Sequence, residues 1–201
     1  MLEKKAQDTL SEIGNVGAAH AATALGQLLE RTVMISVPRV LVLPPGQVGT
    51  ACGSAEALMA GVQFHVVGDA SGRILLMLPR ACAMELVDVL LRNAPGTTKV
   101  LNELGNSTVR ETGNIMASAY LNALSEFLGL LLLPSVPHLI FDIAGAVLDH
   151  AAEGVEALGG QVVLVDIGFS AEGTQVKGNL LFFLDASSLD VLASSADAFS
   201  R

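Results

Sequence analysis

The chain is poor in the residues that most often carry chemistry. Of its 201 residues two are cysteine, one is tyrosine and none is tryptophan. Cys52 and Cys82 stand apart with no C-x-x-C pair and no neighbouring histidine, so a zinc site or dithiol redox centre is excluded and both read as buried or reduced thiols. His20, His65, His138 and His150 share no ligand spacing, so no metal is expected to bind and no cofactor of the chain's own is implied. Asp149-His150 lacks a G-x-S-x-G nucleophile to complete a triad, and no Walker loop is present. Long apolar runs are missing too: the greasiest, residues 130–133, ends at Pro134, far short of a bilayer span. Residues 1–10 (MLEKKAQDTL) contain no apolar signal-peptide core, so the expected location is the cytoplasm. Positive charge is scarce, with 11 Lys+Arg against 20 Asp+Glu, a net charge of −9 and a pI near 4.8. Such a field argues against nucleic acid or an anionic membrane as partner.

What the chain has is apolar bulk and repetition. A hydrophobic fraction of 51% and a mean hydropathy of +0.56 suffice for a sizeable core, and one domain over residues 1–201 is expected. Residues 8–38 (DTLSEIGNVGAAHAATALGQLLERTVMISVP) are echoed by residues 107–137 (STVRETGNIMASAYLNALSEFLGLLLLPSVP). At a constant offset Glu12 falls on Glu111, Gly14 on Gly113, Asn15 on Asn114, Ala18 on Ala117, and Ser36-Val37-Pro38 on Ser135-Val136-Pro137. A match in register through a helix and into the next strand marks a duplicated unit, with halves 1–98 and 99–201.

Each copy reads as a long amphipathic helix. In the first, Ala6, Leu10, Ile13, Gly17, Ala21, Ala24 and Leu28 recur at three- and four-residue steps, which at about 100° per residue gathers them on one face. Asp8, Glu12, Asn15 and Ala19 fall opposite. In the second, Val109, Thr112, Met116, Tyr120, Ala123 and Phe127 face inward and Ser107, Glu111, Asn114 and Ser118 outward. Each helix thus presents a carboxylate and a carboxamide about 4.5 Å apart along its axis.

One Glu-x-x-Asn pair alone would be an ordinary solvated face. Recurrence of the same two residue types at the same two positions is harder to explain that way, because Lys, Gln, Arg or Asp would solvate a helix as well. Asn is a poor residue for a helix interior, and Gly14 and Gly113 beside it each cost about 1 kcal/mol relative to Ala. Such glycines suggest that another backbone or a partner comes close.

These residues carry a family resemblance. The pattern Asp/Ser, three residues, Glu, two residues, Asn, then twenty-two residues to Pro occurs as Asp8-Glu12-Asn15-Pro38 and as Ser107-Glu111-Asn114-Pro137. It resembles the signature of the CheC/CheX/FliY phosphatases, and the likeness extends through EIGNVGAAHAATALGQLL and ETGNIMASAYLNALSEFLGL. His20 departs from it, standing where the family usually has Asn.

The remaining segments suit one compact architecture. Strand-like TVMISVP and RVLVLPP precede a short helix over about residues 48–59. VQFHVVG and RILLMLP then flank a turn at Asp69-Ala70-Ser71-Gly72, and PRACAMELVDVLL is helical. After a linker at residues 93–98 the order repeats. A helical opening over residues 99–104 leads into the motif helix; then come LLLLPSVP, HLIFDIAG, a helix over about 144–158, a hairpin turning at Ala171-Glu172-Gly173, and a final helix capped by Asp185. The expected fold is α/β (α+β): one mixed, mainly antiparallel sheet of about six strands with both motif helices on one face, related by a pseudo-twofold. The resemblance implies the same fold.

The resemblance implies chemistry as well. The partner would be the phosphorylated response regulator CheY, whose own site brings the aspartyl phosphate, a Mg²⁺ ion and a lysine. Asn15 and Asn114 would orient the attacking water, and Glu12 and Glu111 would pair with that lysine. Asp8 and Ser107 would be peripheral contacts. Gly14, Ala18, Ala19 and their counterparts Gly113, Ala117 and Ser118 would let the partner approach. A second implied partner is the receptor deamidase CheD, meeting the small-residue helix at residues 144–149, although that stretch read by itself is an ordinary packed helix. From a different class, the same helix faces could serve a non-catalytic module that docks a response regulator or CheD; retention of Asn at both sites favours catalysis.

Overall fold

A computed structural model describes residues 4–30, 32–155, 157, 159–171 and 174–199; of Asp8 and the other residues at 4–9 it describes the helical backbone alone. The elements run α1 (Lys4–Leu29), β1 (Met34–Leu43), a one-turn 3-10 helix (Pro45–Gln47), α2 (Val48–Cys52), β2 (Leu58–Gly68), β3 (Gly72–Pro79), α3 (Arg80–Leu90), α4 (Glu103–Leu128), β4 (Leu132–Pro134), β5 (His138–Ile143), α5 (Ala144–Ala152), β6 (Gln161–Ala171), β7 (Thr174–Leu184) and α6 (Ala186–Phe199).

The strands form one seven-stranded sheet in the order β1-β6-β7-β3-β2-β4, with β5 also on β2. Among the described residues every pairing is antiparallel, so the sheet there is not mixed. The extra strand over the expected six comes from one broken edge: β4 pairs with Val66–Gly68 and β5 with Leu58–Gln63 of the same β2, interrupted at Ser135-Val136-Pro137. The equivalent Ser36-Val37-Pro38 does not break β1. It shifts the register against β6 between Ser36 and Arg39, as expected where a proline cannot donate to the ladder.

This order makes the pseudo-twofold concrete. The hairpins β2-β3 and β6-β7 meet along β3 and β7. Each half's edge strand then pairs with the other half's hairpin, β1 with β6 and β4/β5 with β2. The helix expected over 48–59 ends at Cys52, and Met59 belongs to β2, where its side chain is buried. The one expected over 144–158 ends at Ala152. Residues 99–102 are not helical: Asn102 caps α4, its Oδ1 accepting from the Gly105 N–H at 2.9 Å. Gly129, at φ 67°, closes that helix. Glu172 and Gly173 of the expected last turn lie outside the described residues.

Both faces of the sheet are covered, which accounts for the unbroken apolar runs in β3 and at the end of β7. On one face α1, α3 and α4 pack over Val62, Phe64, Ile74, Leu76, Val163, Val165, Leu180 and Phe182. On the other, Val48 of α2 and Val147, Leu148 and Ala151 of α5 cover Leu75, Met77, Leu164, Leu181 and Phe183. α1 and α4 also pack against each other, at Gly17 against the Tyr120 ring.

Gly113 shows why a motif helix accepts glycine. A Cβ there would lie 2.7 Å from Val62 Cγ1, so its absence seats α4 directly on β2. A Cβ on Gly14 would meet Val37 and Val40 at 3.6 and 3.7 Å, ordinary contact. We therefore expect Gly14→Ala to stabilise the fold by roughly 0.5–1 kcal/mol, and Gly113→Ala to destabilise it by about 1–3 kcal/mol through overpacking. Urea unfolding of the two variants checks the opposite signs.

Two aspartates fasten connections to the core. Asp185 accepts from the Ser188 N–H at 2.7 Å and the Ser187 hydroxyl at 2.8 Å, capping α6 as expected, while the Ser188 hydroxyl donates to the Ser71 carbonyl oxygen in the β2–β3 turn at 2.8 Å. Buried Asp88 accepts from the Thr98 N–H and hydroxyl, tying the inter-half linker to α3. The Ser188 N–H chiefly holds the Asp185 carboxyl below its ordinary range, against the opposing effect of burial. For Asp88 burial is the largest influence and works against the charge, but the bonds from Thr98, with those from Asn93 and Gly96, together outweigh it and its pKa is lowered. A depressed folded-state pKa contributes stability above the unfolded pKa and loses it as pH falls through the folded value. The melting temperature should therefore fall below about pH 4, and Asp185→Asn should flatten that acid limb in thermal melts.

Candidate functional site

The two motif helices are each 26 residues long and lie side by side on the same sheet face. At about 100° per residue, Asn15 stands roughly 60° from Glu12 around α1, and Asn114 likewise from Glu111 around α4. Glu12, Asn15 and Glu111 are exposed, and Asn114 is half-buried. None of the four makes a hydrogen bond or ion pair with another described residue, so two carboxylates and two carboxamides stand unspent on one face.

The eight residues expected to flank the site divide. Ser107 and Ala19 are exposed and Ser118 is half-buried, so these three reach the strip. Gly14, Ala18, Gly113 and Ala117 do not: all four are buried, with Ala18 only 2% exposed, and they cannot offer a surface to a partner. The reason is angular, since Gly14 and Ala18 lie roughly 120–160° around the helix from Glu12 and turn towards the core. What meets these glycines is the protein's own sheet, through the side chains of Val37 and Val40 at Gly14 and of Val62 at Gly113. The side chain of Asp8 lies outside the described residues. Leu28, placed inward by its spacing, is 60% exposed, and Leu25 and Leu29 are buried instead.

Two further residues belong to this surface. Val16 is 40% exposed next to Asn15 and one turn after Glu12. Arg110 is exposed one turn before Asn114, so the α4 strip reads Ser107, Arg110, Glu111, Asn114 and contains a cation. Comparison of the two copies passes over both, because Arg110 stands opposite Ser11 and apolar Val16 is not conspicuous among polar neighbours. The copies also differ at His20, which is exposed, whereas the matching Ala119 is buried.

The strip can accept hydrogen bonds, orient a water molecule and pair with a cation. Among the described residues no group of three or more His, Cys, Asp or Glu is placed to hold a metal ion, and no helix is long and apolar enough to cross a membrane.

Known proteins agree with this layout. The sequence model of the CheC-like family matches residues 6–42 and 104–140, one segment in each half. The chain is 29% identical over 195 residues to Bacillus subtilis CheC, named as a CheY-P phosphatase, covering 95% of this chain and 93% of that protein. It is 29% identical over 125 residues to the flagellar motor switch phosphatase FliY of the same organism, covering 62% of this chain and 32% of that longer protein. In structure it resembles Thermotoga maritima FliY, with a TM-score of 0.78 at 22% identity over 100% of this chain and 98% of that one. The FliM middle domain of H. pylori shares the fold at 11% identity, TM-score 0.66, over 96% and 99% of the two chains. The chain thus resembles the CheC-like family, whose segment is matched once in each half, and shares the fold of Thermotoga maritima FliY along its whole length.

Proposed function

We propose that this protein is a phosphatase that accelerates hydrolysis of the aspartyl phosphate on a CheY-type response regulator. The observation that carries this reading is the pair of solvent-facing Glu-x-x-Asn strips whose polar groups have no partner among the described residues. The relative named as a CheY-P phosphatase supports it.

The strip is incomplete as a phosphatase by itself. A phosphoryl group in transit needs cationic or metal stabilisation, and among the described residues the two strips together offer four carboxylate or carboxamide groups against the single cation Arg110. The partner supplies the missing half: a Mg²⁺ ion at its own phosphorylation site and a lysine. Glu12 or Glu111 pairs with that lysine and sets the register. Asn15 or Asn114 then holds a water in line with phosphorus through its carboxamide, as a glutamine does in GTPases. Ala19 on one helix and Ser118 on the other are small enough to let the regulator's surface close over the strip, with Ser107 and Asp8 at its margin.

The chain needs no metal of its own in this scheme. A deamidase of the CheD type is the second partner we propose, and the surface open to it on α5 is narrow, because Ala144, Val147 and Leu148 are buried and Ala146 and Asp149 are the exposed members of that stretch. The deciding experiment is decay of phosphorylated CheY in Mg²⁺ with and without this protein. Acceleration at substoichiometric protein is expected; binding without acceleration would leave a docking module in its place.

A further inference from the structure

We propose that the sheet face opposite the motif helices carries a binding site for a small molecule bearing a phosphate or carboxylate group. A groove of about 640 Å³ opens there, over the ends of β1, β6 and β7 beside α2. This volume lies within the range of small-molecule sites, about 300–1,000 Å³.

Its floor is a two-row ladder of polar residues. Arg39, Asp166 and Asn179 lie across from one another on β1, β6 and β7, and Ser36, Gly168 and Lys177 form the next row. The register shift around Pro38 brings Ser36 and Arg39 onto the same face although three positions separate them. Asp166 holds the first row rigid: it accepts from Arg39 Nε at 2.7 Å, from Arg39 Nη2 at 3.3 Å and from Asn179 Nδ2 at 2.8 Å. That leaves the Nη1 edge of the guanidinium without a bond to any described residue.

Between the cations the floor is low, with the Ser36 hydroxyl donating to the Gly168 carbonyl oxygen at 3.4 Å. Gly168 has no side chain, and a Cβ there would lie 2.7 Å from Ser36 Oγ. Arg39 and Lys177 are two strands and one row apart, roughly 12 Å between Cα atoms, and both line the groove, with Gly168 beside Lys177 in its row. Arg39 and Lys177 against Asp166 give the described lining a net charge of +1, in a chain whose total is −9. Cys52 on the wall adds no negative charge at neutral pH, because burial pushes its thiol up to about 11. Met34, Met59 and Pro79 supply an apolar wall for the body of a ligand.

The other half of the molecule shows what a closed version looks like. Gln63 stands at the same node, paired with His138 on one side and Leu75 on the other, and both Gln63 and Leu75 are buried. There the nine-residue α5 covers the sheet, whereas α2 stops after five residues. The duplication has left one copy filled and one copy open, lined by a guanidinium, an ammonium and a carboxamide suited to an oxyanion.

The test is amide NMR of the full chain titrated with phenyl phosphate, benzoate and inorganic phosphate, alongside Lys177→Met and Gly168→Val variants whose folding is checked by thermal melts. Saturable shifts at Arg39, Gly168 and Lys177 are expected. Phenyl phosphate should bind more tightly than inorganic phosphate, and its ranking against benzoate identifies the headgroup. Lys177→Met should weaken binding about tenfold, and Gly168→Val should abolish it. Absence of saturation with all three probes, shifts confined to α1 and α4, or binding unchanged in both folded variants would overturn the proposal.

Discussion

Replacing Asn15 and Asn114 together by alanine is expected to abolish acceleration of CheY dephosphorylation while leaving the affinity for phosphorylated CheY nearly unchanged. A carboxamide that holds the attacking water acts mainly in the transition state, so its loss lowers turnover far more than ground-state binding. The expected fall is about a hundredfold or more, the scale on which one preorganised polar group acts in an active site. Each single variant should keep the activity of the intact half. Neither asparagine makes a hydrogen bond to another described residue, so truncation should cost the fold under about 0.5 kcal/mol at exposed Asn15. Half-buried Asn114 is the position where a thermal melt must accompany the assay. Phosphate release and a binding titration, run on the same preparations, separate the two quantities. Normal turnover in the double variant would remove asparagine from the mechanism and leave the helix face as a docking surface.

Glu12→Ala together with Glu111→Ala should behave differently, weakening binding and turnover in parallel. Each carboxylate is proposed to pair with a lysine of the partner, a contact present before and during the reaction. Losing a charge-assisted bond of this kind costs about 1.5–3 kcal/mol, or roughly ten- to a hundredfold in affinity. The affinity of the unaltered protein should also fall as salt rises, and the double variant should lose much of that salt dependence. Titrations of phosphorylated CheY at two ionic strengths measure both effects. Unchanged affinity with lost turnover would move the glutamates from docking to chemistry. Arg110 is an internal control, since it stands on the α4 strip with the opposite sign and its removal should not reproduce the glutamate phenotype.

Much of this protein was legible before any coordinates, because its main features are periodic and local. The offset between residues 8–38 and 107–137 exposes the duplication, and the 3.6-residue helical repeat puts Glu12, Asn15 and Glu111 on the solvent side. The polar turn at Asp69–Gly72 implies the β2–β3 hairpin. These depend on neighbours in sequence, and the structure agrees with each. Where the reading failed, one element's surroundings were supplied by another. Gly14, Ala18 and Gly113 look like openings for a partner until β1 and β2 are seen beneath them. Leu28 misleads because the apolar stripe of α1 runs on through Leu25 and Leu29.

Sequence by itself determined the two helices, the exposed Glu12, Asn15 and Glu111, the hairpins and the equivalence of the halves, since each follows from backbone periodicity and turn chemistry within a few residues. Tertiary structure decided the rest. The exchange of edge strands, β1 onto β6 and β4/β5 onto β2, joins residues about a hundred or more positions apart in one direction and about seventy in the other; hydrogen-bond registers of that range leave no local pattern. The same pairing selects which glycines meet a strand, brings Arg39, Asp166 and Asn179 into one row, and leaves that row open beneath a helix of five residues. Side-chain periodicity states which face a residue occupies on its own element, but only packing determines what lies opposite that face.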